Sequence, residues 1–107
     1  MNLTKSNQYG LSPDTIQKLN NIFDSEPQIE KVLLYGSRAK GNYKNGSDID
    51  LTIFAPDFNL TDLSRIDNKI DNLLLPYIID LSLYHYIQNP DLIDQIKRNG
   101  IEFYTNT

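Results

Sequence analysis

Apolar residues change their spacing several times along the chain, and the changes outline its elements. Ile16, Leu19, Ile22 and Phe23 recur at helical spacing. Ser12-Pro13-Asp14 precedes them as cap, first helical residue and first-turn acid. Pro27 ends that helix, and the β-rich run Ile29–Tyr35 (IEKVLLY), closed by Gly36, predicts a strand. Ser37–Lys44 has room for a short helix opened by Ser37. Asp48–Ala55 (DIDLTIFA) alternates polar and apolar residues, the mark of a half-buried strand, and Pro56 closes it. Asn59 or Thr61 caps a helix to about Leu75 with Leu63, Ile66, Ile70, Leu73 and Leu74 as its stripe. Tyr77–Tyr86 (YIIDLSLYHY) predicts a third strand. Asn89-Pro90-Asp91 opens a helix that turns Leu92, Ile93 and Ile96 inward and stops at Asn99-Gly100. Ile101–Tyr104 (IEFY) predicts a last strand. The order α-β-(α)-β-α-β-α-β fits helices packed on a sheet, α/β or α+β in class.

Strand parity then sorts the acidic residues. Asp48, Asp50 and Thr52 fall on one face of their strand, and Ile49, Leu51 and Ile53 on the other. In the third strand Asp80 and Ser82 share a face with Ile78 and Tyr84, opposite Tyr77, Ile79, Leu81 and Leu83. Burying both apolar faces under the helices leaves Asp48, Asp50 and Asp80 on one common face. Residues two apart on a strand are about 7 Å apart, and neighbouring strands about 5 Å apart. Carboxylates gathered so closely repel one another and raise each other's pKa values. A divalent cation removes that repulsion, and an all-oxygen set favours magnesium, manganese or calcium over zinc.

Composition narrows the partners. The 107 residues suffice for one domain, with residues 1–10 as a loose polar arm and 11–107 as the folded unit. There is no cysteine, hence no disulfide and no thiolate metal site. No run reaches membrane-span length and Met1–Gly10 lacks the apolar core of a signal peptide, so the expected location is the cytoplasm. The net charge of −4 and the lack of a long basic run argue against direct nucleic-acid binding. An anionic substrate therefore needs local positive charge from a few basic side chains or a metal ion.

The stretch Tyr35–Asp50, YGSRAKGNYKNGSDID, brings these requirements together. Gly36 lets a ligand approach the backbone closely. A helix opening at Ser37 points N–H groups at an anion, the Ser37 hydroxyl adds a donor, and Arg38 and Lys40 are cations close by. A phosphate chain on Gly36 and Ser37, with its metal on Asp48 and Asp50, accounts for the whole stretch and implies phosphoryl or nucleotidyl transfer. A P-loop fails because Asn42 and Tyr43 stand where Lys and Ser or Thr are needed. An EF-hand fails because the downstream glycine and glutamate are missing.

Gly36-Ser37, ten residues, then Asp48-Ile49-Asp50 resembles the Gly-Ser … Asp-x-Asp/Glu signature of the DNA polymerase β-like nucleotidyltransferase superfamily. The fuller GSRAKG…SDIDL, Asp80 within IIDLS, and the tail from Asn89 through Asn99-Gly100-Ile101 resemble its minimal nucleotidyltransferase (MNT) group. The likeness runs over roughly residues 11 to 104. It implies a mixed sheet with helices mainly on one face. It implies transfer of a nucleoside monophosphate, AMP from ATP, to a hydroxyl with release of pyrophosphate. Asp48 and Asp50 would bind two Mg2+ ions, and Asp80 would bind the catalytic one and help deprotonate the acceptor. Gly36 and Ser37 would hold the triphosphate, with Arg38 assisting. It also implies a partner, a HEPN toxin encoded next to it, adenylylated on a tyrosine by its MNT antitoxin and joined with it in a hetero-oligomer. Two other readings remain: an antitoxin that neutralises HEPN by contact alone, and transfer to a small molecule such as an aminoglycoside, against which the short chain argues. His85, Lys44 and the strand tyrosines Tyr35, Tyr77, Tyr84 and Tyr104 read as structural or solvated residues.

Overall fold

In the computed structural model, which describes residues 8–106, the predicted elements appear in the predicted order. Helix α1 (Pro13–Asp24) is capped by Ser12, whose hydroxyl oxygen accepts from the Thr15 N–H at 3.2 Å. Strand β1 (Lys31–Tyr35) leads through Gly36 into α2 (Ser37–Lys40), and β2 (Ile49–Phe54) follows. Helix α3 (Leu60–Asp71) starts at Asn59, not Thr61. Asn59 accepts from the Thr61 and Asp62 N–H groups while the Asp62 carboxylate accepts from the Asn59 N–H, a closed capping box. Strand β3 (Ile79–Leu83), helix α4 (Pro90–Asn99) and strand β4 (Ile101–Thr105) complete the fold.

The third strand is shorter than its alternating sequence predicts. At Tyr84 the chain enters a single 3-10 turn, Tyr84–Tyr86. Two contacts draw it off the strand path: the Tyr84 ring stacks on Phe54 at 4.2 Å, and His85 Nε2 lies 2.9 Å from the Phe58 carbonyl. His85 thus ties this turn to the loop before α3. Part of the expected N-terminal arm is also held. Met1–Asn7 lie outside the described residues, but Gln8 pairs with Leu11 and the Tyr9 ring sits 6.4 Å from Phe103.

The sheet order is β3-β2-β1-β4, with β1 antiparallel to both β2 and β4 and β2 parallel to β3. The parallel pair needs a crossover, which α3 supplies. Leu19 and Phe23 of α1 and Ile66 and Ile70 of α3 cover the apolar face of Val32, Leu34, Ile49, Leu51, Ile53 and Leu83. Ile96 of α4 is buried but apart from that cluster. Gly100, just past α4, comes against Leu33 on the opposite face of β1. The sheet is therefore mixed, with α1 and α3 on one side, and α4 shielding part of the other.

One polar contact fastens the two covering helices together. Glu26, buried beyond the end of α1, accepts from Arg65 Nη2 at 2.6 Å and Lys69 Nζ at 2.9 Å, both on α3. Burial alone would push its carboxyl up, but the hydrogen bonds from Arg65 and Lys69 outweigh it and hold the pKa below the usual glutamate value. A depressed carboxylate stabilises the fold above its unfolded pKa and loses that contribution as pH falls through the folded one. Glu26→Gln is expected to cost about 2 kcal/mol at pH 7. The gap from the unaltered chain should close below pH 4.5, as read by denaturant unfolding at several pH values.

Candidate active site

Cross-strand register sorts the second sheet face into rows. Tyr35 stands opposite Asp50, and Asp50 beside Asp80. Residues opposed across strands share a face, so these three side chains form one row at the end of the sheet. The next row is Leu33, Thr52 and Ser82. Beyond it Lys31 lies opposite Phe54, with its Nζ 4.7 Å from the ring centroid. The charged row thus rests on a layer of hydroxyls, of which Thr52 is fully buried with its Oγ1 unpartnered.

Burial pushes the Asp50 carboxyl up, and the charges of Asp80 and Asp48 and a hydrogen bond shared with Asp80 push it further, while Arg38 pulls weakly the other way. Tyr35 is 7% exposed. Its hydroxyl is also held above its ordinary value, by burial first, with Asp80 and Asp50 adding to the effect and a Ser82 hydrogen bond opposing it. Asp80 is exposed at the sheet edge, on the outermost strand. The three carboxylates are not equivalent. Asp48 precedes β2, is exposed, and reaches Asp50 through its charge. Among the described residues no three acidic, histidine or cysteine side chains form a ready-made metal cage. The three carboxylates take the form of a facing pair, Asp50 and Asp80, with Asp48 just before β2 acting on Asp50 through its charge. An all-carboxylate pair, partly buried and with like charges facing, suits a hard divalent cation, with phosphate oxygens and water filling the other positions.

Gly36 touches this row directly. Its backbone lies at φ 77°, ψ −155°, a region open essentially to glycine alone. A Cβ there would overlap Asp50 Oδ2. The turn and Asp50, fourteen positions apart in sequence, are thus in contact in the fold. Gly36 itself takes the cap position of α2, so Ser37 is the first helical residue, and no side-chain cap closes the turn.

Arg38, expected at the phosphates, is 3% exposed and otherwise engaged. Its Nε and Nη2 donate to the Ser47 carbonyl at 3.2 and 2.8 Å, and its Nη1 donates to the Tyr9 carbonyl at 2.8 Å. Its guanidinium carbon lies 5.2 Å from the Tyr43 ring and 5.1 Å from the Tyr77 ring. A planar fork between two aromatic faces is an arginine-specific arrangement. Since Ser47 is the residue before Asp48, Arg38 fixes where the acidic motif begins. Lys40 and Lys44 are exposed.

Sequence reasoning missed Tyr35, Tyr43, Tyr77 and Tyr9 as members of this neighbourhood. The adjacency of Tyr35 to Gly36 was a signal for the first. Nothing local could have paired Tyr9 with Arg38. Gly36→Ala is expected to cost at least about 3 kcal/mol, because strain and overlap with Asp50 add. Gly41→Ala, also at positive φ but with open space around it, is expected to cost about 1 kcal/mol. Equilibrium unfolding of the two variants measures the difference.

Comparison with known proteins bears on the family and the fold. The family model described as Polymerase beta, Nucleotidyltransferase matches residues 17–107. No curated protein matches the chain. Among solved structures, a chain of a toxin–antitoxin crystal structure with AMP-PNP superposes with TM-score 0.68 at 23% identity, over 91% of this chain and 76% of that one. A chain in the structure of the tri-AMPylated Shewanella oneidensis HEPN toxin in complex with MNT antitoxin gives 0.63 at 19% identity, over 86% and 71%. A putative minimal nucleotidyltransferase gives 0.64 at 20% identity, over 92% and 98%. These likenesses carry the fold, and the family model covers most of the sequence: the chain belongs to the polymerase β nucleotidyltransferase family.

Proposed function

We propose that this protein transfers AMP from ATP to a hydroxyl of a protein partner, a tyrosine of a HEPN toxin, and acts as that toxin's antitoxin. The observation that carries the reading is the contact of Gly36 with Asp50, which faces Asp80 in a pair short of countercharge. The similarity to chains of structures described with AMP-PNP and with an AMPylated HEPN toxin supports the nucleotide and the partner.

In this reading Gly36 and Ser37 receive the triphosphate on their backbone N–H groups. Asp50 and Asp80, with Asp48 at the rim, would hold Mg2+, which supplies charge neutralisation on the phosphates. Asp80, at the exposed edge, accepts the proton of the acceptor hydroxyl. The acceptor oxygen forms a bond to the α-phosphorus, the bond to the bridging oxygen breaks, and pyrophosphate leaves. Arg38 is a positioning residue, because it sets Ser47 and hence the approach of Asp48. Tyr35 closes the row beside Asp50, and Ser82 lies in the row beneath.

Labelled transfer from ATP to the HEPN protein in Mg2+ should fall at least about 100-fold in Asp48→Asn and Asp50→Asn. Full transfer by both variants would overturn the assigned roles. Full neutralisation of the toxin by Asp50→Asn would replace catalysis by contact alone. A carboxyl held above its usual value costs stability when ionised, and the cost fades as pH falls through the raised value. Asp50→Asn should therefore raise Tm at pH 7, with the gain shrinking towards acid. Mg2+ should raise the Tm of the unaltered chain more than that of the variant.

A further inference from the structure

The sheet ends at β3, and an apolar rim is left open there. Leu74 is 87% exposed and Ile78 69%, the two highest values among the described large apolar side chains. They line a groove of about 350 Å3 between the end of α3 and the start of β3. Leu74 also holds φ at 54°, in the left-handed region that disfavours a leucine side chain. The chain thus keeps a leucine in an unfavourable backbone conformation with its side chain in water. An outlier of this kind points to use. Asp67 and Asp71 line the same groove, one helical turn apart, and neither forms an ion pair among the described residues. Among the described residues no lysine or arginine lines the groove, and burial and the Asp71 charge hold the Asp67 carboxyl above its usual value.

The groove opens on the α3 side of the sheet, and its Ile78 end, at the edge strand, reaches round towards the face of the carboxylate row. The Ile78 carbonyl accepts from the Ile49 N–H at 2.9 Å, which fixes its place beside β2. On an extended chain Ile78 and Asp80 fall on one side, about 7 Å apart. A protein seated here has its nearest side chains within reach of Asp80. The two carboxylates repel a nucleic acid. They also repel the same acidic rim of a second copy.

We propose that this groove seats the acceptor protein itself. A segment of that protein places an apolar side chain between Leu74 and Ile78 and a lysine or arginine against Asp67 and Asp71, bringing its acceptor hydroxyl beside Asp80. The inference rests on the function proposed above and names the surface by which that acceptor is chosen.

Calorimetric titration of this chain with the HEPN protein, beside titration with Mg2+ and AMP-PNP, tests it. Leu74→Glu and Ile78→Glu are surface changes, expected to weaken the protein complex about tenfold or more and to leave nucleotide binding within twofold. Leu74→Gly, which suits the positive φ, should weaken the complex while leaving Tm unchanged or higher; a purely structural leucine would lower Tm and leave binding alone. Asp67→Lys with Asp71→Lys should weaken the complex similarly, with a smaller effect at high salt. HEPN binding of unaltered strength in the Leu74 and Ile78 variants overturns the surface and leaves the proposed function standing. Failure of the unaltered chain to bind HEPN overturns that function and this occupant together. A dimer in sedimentation that Leu74→Glu dissolves assigns the groove to a second copy and overturns the proposal.

Discussion

The candidate site depends on one close approach, the bare α-carbon of Gly36 against the carboxylate of Asp50. A strand must end, reverse through a glycine-only conformation, and pass beside the first residues of the next strand. The antiparallel register of β1 and β2 makes this contact unavoidable once Tyr35 faces Asp50. The loop between them then needs a second anchor, and Arg38 provides it by gripping Ser47 and Tyr9 between two tyrosine rings. The Gly36 contact fixes the start of the loop, and the Arg38 grip fixes its return to Asp48.

Around that contact the fold sets stability against chemistry. The apolar face is buried beneath α1 and α3, and their ends are fastened through Glu26 to Arg65 and Lys69. The opposite face carries like charges side by side, a buried tyrosine hydroxyl and an unpartnered threonine hydroxyl. Such groups weaken a fold unless something binds there, and they lie at one end of the sheet, in reach of the edge strand. The well-packed side supplies the rigidity that the polar side spends.

Much of this was legible in the sequence because its signals are local. Ser12-Pro13 starts α1, Asn89-Pro90 starts α4, and the alternation of DIDLTIFA gives β2 and its face. Parity also placed Asp50 and Asp80 together, since both strands had to turn their apolar faces the same way. Long-range choices were less legible. Arg38 looked like a loop cation because nothing near it in sequence shows that the Tyr9 carbonyl and the Tyr77 ring are its neighbours. Tyr77–Tyr86 alternates throughout, yet the stacking of Tyr84 on Phe54 ends the strand at Leu83. Asp48 shares parity with Asp50 but precedes the ladder, and it acts on Asp50 through its charge.

The central claim is that Asp50 and Asp80 form one working nucleotidyl-transfer centre with distinct tasks. In the proposed function Asp80, at the exposed edge, would take the acceptor proton, and the Gly36 turn and Asp50 would hold most of the nucleotide. Single-turnover transfer from ATP by Asp80→Asn, with AMP-PNP affinity measured on the same protein, tests this most directly. The account predicts affinity within about threefold of the unaltered chain and transfer at least about 100-fold slower. Transfer at the unaltered rate would contradict it.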